Sequence, residues 1–191
     1  MLRNKHRKTI GGRNEIMKIL IASDIHGSEL YCGKLVKACY QERAETMLLL
    51  GDILDGNKEV AAMLNSLNRE KTILCVRGNC DYPEDQVMLD FPIMAEYCLL
   101  FAQDRLIFAT HGHRSIPNLS SGSILLHGHT HAPAWEKTKA GYFELCPGSV
   151  SQPRRNSQRS YIILNDDGFT WKDLDGRTYH TFTLTQQCGI E

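Results

Sequence analysis

The residues best able to do chemistry lie in five short segments: Asp24-Ile25-His26-Gly27, Gly51-Asp52, Gly78-Asn79-Cys80-Asp81, His111-Gly112-His113 and Gly128-His129-Thr130-His131. Each follows an apolar run and holds a glycine, which lets the backbone turn tightly at a strand end. Imidazole, carboxylate and carboxamide together suit a borderline transition metal better than calcium. Asp24 and His26 are two apart, so both reach one ion while Ile25 points away. Asp52 supplies a carboxylate able to bridge two cations about 4 Å apart, one oxygen for each, as two-metal phosphoester hydrolysis requires. Asn79 adds a neutral carbonyl oxygen that leaves the ions strong Lewis acids. His129 and His131 alternate, so both face one pocket while Thr130 faces away. Taken singly, these segments read as polar loops, a helix cap or a Gly-Asn turn. Their joint order makes a metal site the better reading, with His111 completing the set.

Such turns need strands to carry them. Lys18–Ser23, Met47–Leu50 and Thr72–Val76 are apolar runs that end at the first three segments, as strands buried on both faces do. Between them, Cys32, Leu35, Val36, Cys39 and Tyr40 share one helical face; Val60, Met63, Leu64 and Leu67 share another, capped by Asn57. The β-α-β-α-β order predicts a parallel sheet with ligands at its carboxyl edge. Beyond Pro92, short strands are expected at 97–102, 106–110, 123–127, 134–139, 142–145, 160–164, 169–172 and 178–183. Hairpin turns at 139–142 and 164–169 join some of them, giving a mostly β layer packed against the first.

The 191 residues, 42% of them hydrophobic, suit one compact domain. Lys+Arg and Asp+Glu are both 22, so no global basic field attracts nucleic acid or anionic lipid. Residues 1–16 carry Arg3, Lys5, Arg7, Lys8 and Arg13 against Glu15 and read as a flexible basic extension, leaving −4 on the remainder. A nucleic-acid-binding arm is the rival reading. The domain is expected at 17–184, with a tail at 185–191. The leading stretch lacks a secretory apolar core, and no run reaches bilayer length. Seven scattered cysteines argue for reduced thiols in a cytoplasmic protein.

The order Asp-x-His, Gly-Asp, Gly-Asn, His-Gly, Gly-His-x-His resembles the calcineurin-like metallophosphoesterase superfamily. Arg77-Gly78-Asn79-Cys80-Asp81, Thr110-His111-Gly112-His113 and Pro147-Gly148-Ser149-Val150-Ser151 are most similar to its YfcE-type phosphodiesterase subfamily. The resemblance implies an α/β fold, a four-layer α/β/β/α sandwich of two mixed sheets flanked by helices. It implies that Asp24, His26, Asp52 and His131 hold a first metal, and Asp52, Asn79, His111 and His129 a second. It also implies a phosphoric diester hydrolase, in which a hydroxide held by both ions attacks phosphorus in line. Manganese is usual in relatives; ligand type does not discriminate it from iron, zinc, cobalt or nickel.

Many superfamily members carry His where Cys80 stands, able to protonate the leaving group or contact the phosphate. A thiol is a weak donor, so Asp81 loses that partner and monoesters lose more assistance than diesters. A packed thiol without catalytic effect is the plainer reading. Nucleophilic catalysis by Cys80 lacks the Cys-x5-Arg loop it needs. Catalytic roles fall to Asp52, Asn79, Cys80 and His113, the last facing the cleft beside His111 or standing behind it. Arg77 reads as a phosphate contact or a surface salt bridge, and Pro147–Ser151 as a loop packed near the site. The expected partner is a small phosphodiester, with no membrane and no basic groove for nucleic acid; a homo-oligomer through a sheet edge or loop stays open. A non-catalytic metal-binding scaffold, a phosphomonoesterase and a nuclease of the same superfamily are the alternatives.

Overall fold

The computed structural model describes residues 18–102 and 104–183. The extension expected at 1–16 and the tail at 185–191 lie outside the described residues. Strands β1 (Ile19–Ala22), β2 (Thr46–Leu49) and β3 (Thr72–Cys75) are parallel neighbours, connected through helices α1 (Glu29–Gln41) and α2 (Lys58–Asn68). Leu20, Ala22, Met47 and Leu49 pack with Leu35, Cys39, Leu64 and Leu67 of the helices, whereas Ile19, Ile21 and Leu48 enter a second core. Burial on both faces is why these strands are unbroken apolar runs. Asn57 caps α2, its side-chain oxygen accepting from the Glu59 and Val60 N–H groups at 2.9 and 3.1 Å. Its amide donates to the Gly27 carbonyl at 3.0 Å, tying α2 to the first ligand turn. The short α3 (Pro83–Gln86) follows Asp81.

The second half divides between two sheets, which corrects the expectation of a single added layer. β4 (Tyr97–Ala102), β5 (Arg105–Thr110), β6 (Ile124–Leu126), β7 (Pro133–Lys137) and β8 (Phe143–Pro147) form a second sheet in the order β4-β5-β6-β8-β7. β9 (Ser160–Asn165), β10 (Gly168–Asp173) and β11 (Thr178–Phe182) return to the first, giving β11-β10-β9-β1-β2-β3. Side-chain alternation in β9 is the same whichever sheet it joins. What recruits it is the free flank of β1, whose backbone groups need partners and find them in antiparallel pairing with β9.

The sheets face each other over Ile107, Ile124, Leu145, Phe169 and Trp171, the Trp171 indole N–H donating to the Cys146 carbonyl at 2.8 Å. Two mixed sheets with helices are therefore as expected. Both long helices pack on the first sheet. Among the described residues no helix covers the outward face of the second, where Tyr97, Leu99, Phe101 and Leu106 are exposed. Among the described residues no helix is long and apolar enough to cross a membrane, and Cys32, Cys39, Cys75, Cys80, Cys98 and Cys146 are free thiols.

Candidate metal centre

Because β1, β2 and β3 are parallel, the turns after them stand side by side. The Asp24 N–H donates to the Gly51 carbonyl at 3.1 Å, and the His26 N–H to the Asp52 carbonyl at 3.0 Å. The second sheet contributes the ends of β5 and β6, where the Gly128 N–H donates to the His111 carbonyl at 3.0 Å. The two groups meet where the His129 N–H donates to Asp24 Oδ2 at 3.2 Å. Pro147–Ser151 packs behind them as expected, with the Ser149 and Ser151 hydroxyls donating to the Asp24 carbonyl at 2.9 and 3.0 Å.

Asp24, His26, Asp52, His129 and His131 all take positive φ, between 47 and 63°. Non-glycine residues avoid this region, at a strain of order 1 kcal/mol or more each, so the surrounding hydrogen bonds must hold them there. Gly27, Gly51 and Gly112 turn the chain through positive φ as expected, and the glycines serve a second purpose. A Cβ on Gly78 would stand 2.1 Å from Asp52 Oδ1, and one on Gly51 2.6 Å from the Gly78 nitrogen. The turns bearing Asp52 and Asn79 therefore touch backbone to backbone.

Asp81 locks those turns together. Its carboxylate accepts the N–H groups of Asp52 at 2.9 Å, Ile53 at 2.8 Å and Gly78 at 2.7 Å, and it is fully buried. With no histidine at position 80 to pair with, both its oxygens are used by backbone donors. Burial pushes its pKa up and these donors pull it back, with the Asp52 charge adding to the rise.

The histidines arrive with their tautomers set. His111 Nδ1 donates to the Leu50 carbonyl at 2.6 Å, His131 Nδ1 to the Gln152 carbonyl at 2.8 Å, and His26 Nδ1 to Asp55 Oδ2 at 3.0 Å. Each Nε2 lone pair is left facing the cleft, as metal-ligating histidines require. His26 Nε2 and His131 Nε2 lie 3.4 Å apart, and His131 Nε2 is 3.2 Å from Asp24 Oδ1. That oxygen is buried and has no aligned donor, so acceptors face acceptors. Such a cluster needs a proton or a cation at its centre, and its residues fit a metal.

Ligand atoms of Asp24, His26 and His131 lie within 4.8 Å of one another, as do those of Asp24, Asp52 and His111, and of His26, Asp52 and Cys80. Asp52 belongs to both sides. Its Oδ1 accepts the Cys80 N–H at 2.8 Å, while Oδ2 lies 3.3 Å from His111 Nε2 and 3.6 Å from His26 Nε2. One oxygen, not one for each side, thus looks onto both clusters. Asn79 Oδ1 stands 3.1 Å from His111 Nε2. His129 belongs to none of the tight groups; its exposed ring lies 5.1 Å from that of His111.

His113 sits 5.3 Å from the His111 ring, with its Nδ1 buried and unbonded and its Nε2 accepting from Arg114 Nε at 3.3 Å. Arg77 is drawn to Glu96, 3.7 Å away, and to the Asp81 carbonyl at 3.3 Å, which makes it structural. Asp55 is a site residue that the motifs alone do not single out, and Asp81, named in a motif, turns out to hold the backbone of two turns. Asp55 could be suspected from its acidic type three residues beyond Asp52, but nothing in the spacing says that it holds His26.

Burial lowers the His111 pKa, yet the Asp52 carboxylate more than reverses this, and Asp24 raises that of His131. Burial lowers those of His113 and His129. A metal must displace protons from the two raised groups, so metal affinity is lost as pH falls through their pKa values and is independent of pH well above them. Manganese titrated by calorimetry is expected to bind on the order of tenfold or more weaker at pH 6 than at pH 8. Equal affinity at both would remove His111 and His131 from the ligand set.

Residues 17–168 match the calcineurin-like phosphoesterase superfamily domain. The chain is 34% identical over 167 residues to the phosphodiesterase YfcE of Escherichia coli strain K12, covering 80% of this chain and 89% of that protein. The solved structure of YfcE, described as a phosphoesterase from E. coli, superposes with a TM-score of 0.80 at 32% identity over 88% of this chain and 100% of that one. Vps29 of Entamoeba histolytica, solved with zinc, shares the fold at a TM-score of 0.53 and 22% identity, over 81% of this chain and 90% of that one. With the superfamily domain spanning most of its length, the chain belongs to the calcineurin-like phosphoesterase superfamily.

Proposed function

We propose that the protein is a metal-dependent phosphodiesterase acting on a small phosphodiester. Asp24, His26, Asp52 and His131 would hold one divalent ion, and Asp52, Asn79, His111 and His129 the other, with manganese our choice among metals of this preference. The observation that carries the reading is the convergence of Nε2 atoms, each freed by a committed Nδ1, on two buried carboxylates. The likeness to a named phosphodiesterase supports it. A scaffold has no use for that tautomer control. When bound, the ions supply Lewis acidity toward the phosphoryl oxygens and lower the pKa of an attacking water.

The protein side of the chemistry is notable for how little positive charge it adds. The Cys80 thiol is pushed up to about 11 by burial, then by Asp52 and Asp55, which keeps it neutral in the metal-free protein. His113 is neutral too, its pKa lowered by burial, and its Nε2 accepts from Arg114 Nε at 3.3 Å. Arg77 is held by Glu96. A diester monoanion tolerates this; a monoester dianion does not.

Cys80→His restores a protonatable donor and is expected to raise monoesterase relative to diesterase activity by about tenfold or more, since general-acid help is worth at least that. The measurement compares an aryl phosphodiester with its monoester on manganese-reconstituted protein. An unchanged ratio would reduce Cys80 to a packed thiol. Absence of turnover of both substrates above an Asp52→Asn control would instead favour the scaffold.

A further inference from the structure

The chain between β8 and β9 runs on past Pro147–Ser151 along the His131 side of the centre. The Gln152 carbonyl accepts from His131 Nδ1 at 2.8 Å, and two residues later the Arg154 N–H donates to the His131 carbonyl at 2.9 Å. One candidate ligand is thus held at its ring and at its backbone by the same loop. The loop is itself tied down. Ser157 donates to the Arg154 carbonyl through its hydroxyl at 2.6 Å and its N–H at 3.1 Å, across a turn in which Arg155 and Asn156 take left-handed φ of 56 and 55°. Arg159 Nε donates to the Ser151 carbonyl at 3.1 Å, and its guanidinium lies 4.2 Å over the Tyr31 ring.

Arg154 and Arg155 are exposed, and among the described residues neither guanidinium has an ion-pair or hydrogen-bond partner. Other arginines around the centre are engaged, Arg77 and Arg114 by Glu96 and Arg159 by Ser151 and Tyr31. A free arginine on a surface is ordinary; one whose backbone is bonded to a candidate ligand stands where a bound substrate extends. Its field reaches His131, where it opposes the rise in pKa that Asp24 causes. Asp24, Asp52 and Asp55 offset much of the charge that two divalent ions bring, so any further anionic group on the substrate needs cations from the rim.

We propose that Arg154, with Arg155 beside it, binds a second, terminal phosphate of the substrate, so that the diester this protein selects carries a phosphate besides the one that is cleaved. The proposal rests on the diesterase reading and names its substrate class. A guanidinium fork matches two phosphate oxygens, and two adjacent guanidinia suit a dianion better than a carboxylate. Arg154 is bonded to His131, whereas Cys80 is bonded to Asp52. The arginines therefore serve the remote group, and the reacting phosphoryl group keeps its weakly cationic surroundings beside Cys80.

Two chromogenic diesters that differ by one phosphate test this: thymidine 5′-(p-nitrophenyl phosphate) with and without a 3′-phosphate. On manganese-reconstituted wild type, the 3′-phosphorylated probe is expected to show a kcat/KM about tenfold or more higher, mostly through KM, as a charge-assisted contact allows. Added salt should shrink that advantage. Arg154→Ala is expected to bring the ratio between the probes close to one, and Arg154→Lys to retain part of it. Arg69→Ala removes a guanidinium between α2 and β3, at the opposite end of the strands, and should retain all of it. Equal kcat/KM for the two probes in wild type overturns the proposal and leaves the diesterase reading standing, as does a preference that Arg154→Ala does not alter. Turnover of neither probe overturns both.

Discussion

Asp52→Asn abolishes metal-dependent diester turnover, by on the order of 10³-fold or more, while leaving the fold in place. The size of the effect follows from which oxygen does what. Oδ1 accepts the Cys80 N–H at 2.8 Å, so an amide at this position is oriented: its oxygen must take that donor. Its NH₂ group is then turned to where Oδ2 stood, within 3.3 Å of His111 Nε2 and 3.6 Å of His26 Nε2. A donor replaces the one acceptor that both clusters share. In the metal-free protein that donor can even satisfy the histidine lone pairs, so the melting temperature should hold. The check pairs steady-state kinetics with metal stoichiometry. Turnover within tenfold of wild type would mean that Asp52 does not join the two sides.

Asp81→Ala is the largest stability effect expected outside the apolar cores. It strands three buried N–H groups, those of Asp52, Ile53 and Gly78. At 1–3 kcal/mol for each unmet buried donor, the loss is about 3–9 kcal/mol, a large part of a typical domain's total. A fall in melting temperature of roughly 10 °C or more follows. Asp81→Asn keeps one acceptor and should fall between. Since no proposed ligand is removed, weakened metal binding in either variant reports the relaxed spacing of the Asp52 and Asn79 turns. A variant melting within a degree or two of wild type would show that water meets those donors.

The first half of the fold was legible because burial on both faces writes strands as apolar runs, and because Asn57 announces the start of α2. The assignment of β9 to the first sheet was not, since alternation records a buried face and not which neighbour buries it. The candidate ligands could be named from type and spacing. Their conformation could be read only in part: Gly27, Gly51 and Gly112 make turns as expected, but Asp24, His26, Asp52, His129 and His131 adopt left-handed backbone as well. The partners that fix the histidine tautomers were equally hidden. Two are main-chain carbonyls, of Leu50 and Gln152, which leave no mark in side-chain identity. Asp81 was visible as an acid in a motif, yet its work is done on amides of another turn.

The candidate ligands hang from different sheets, Asp24, His26, Asp52 and Asn79 from the first, His111, His129 and His131 from the second. An ion bound by residues of both is a rivet through the open seam of the sandwich. Riveting Asp52 to His111 also closes the intervening chain into a loop, as a crosslink would, and narrows what the unfolded chain can explore. Chelation should therefore let that seam gape while the layer around Trp171 stays sewn, so amide exchange quickens first at Gly51, Gly78 and Gly128 and last in β9 and β10.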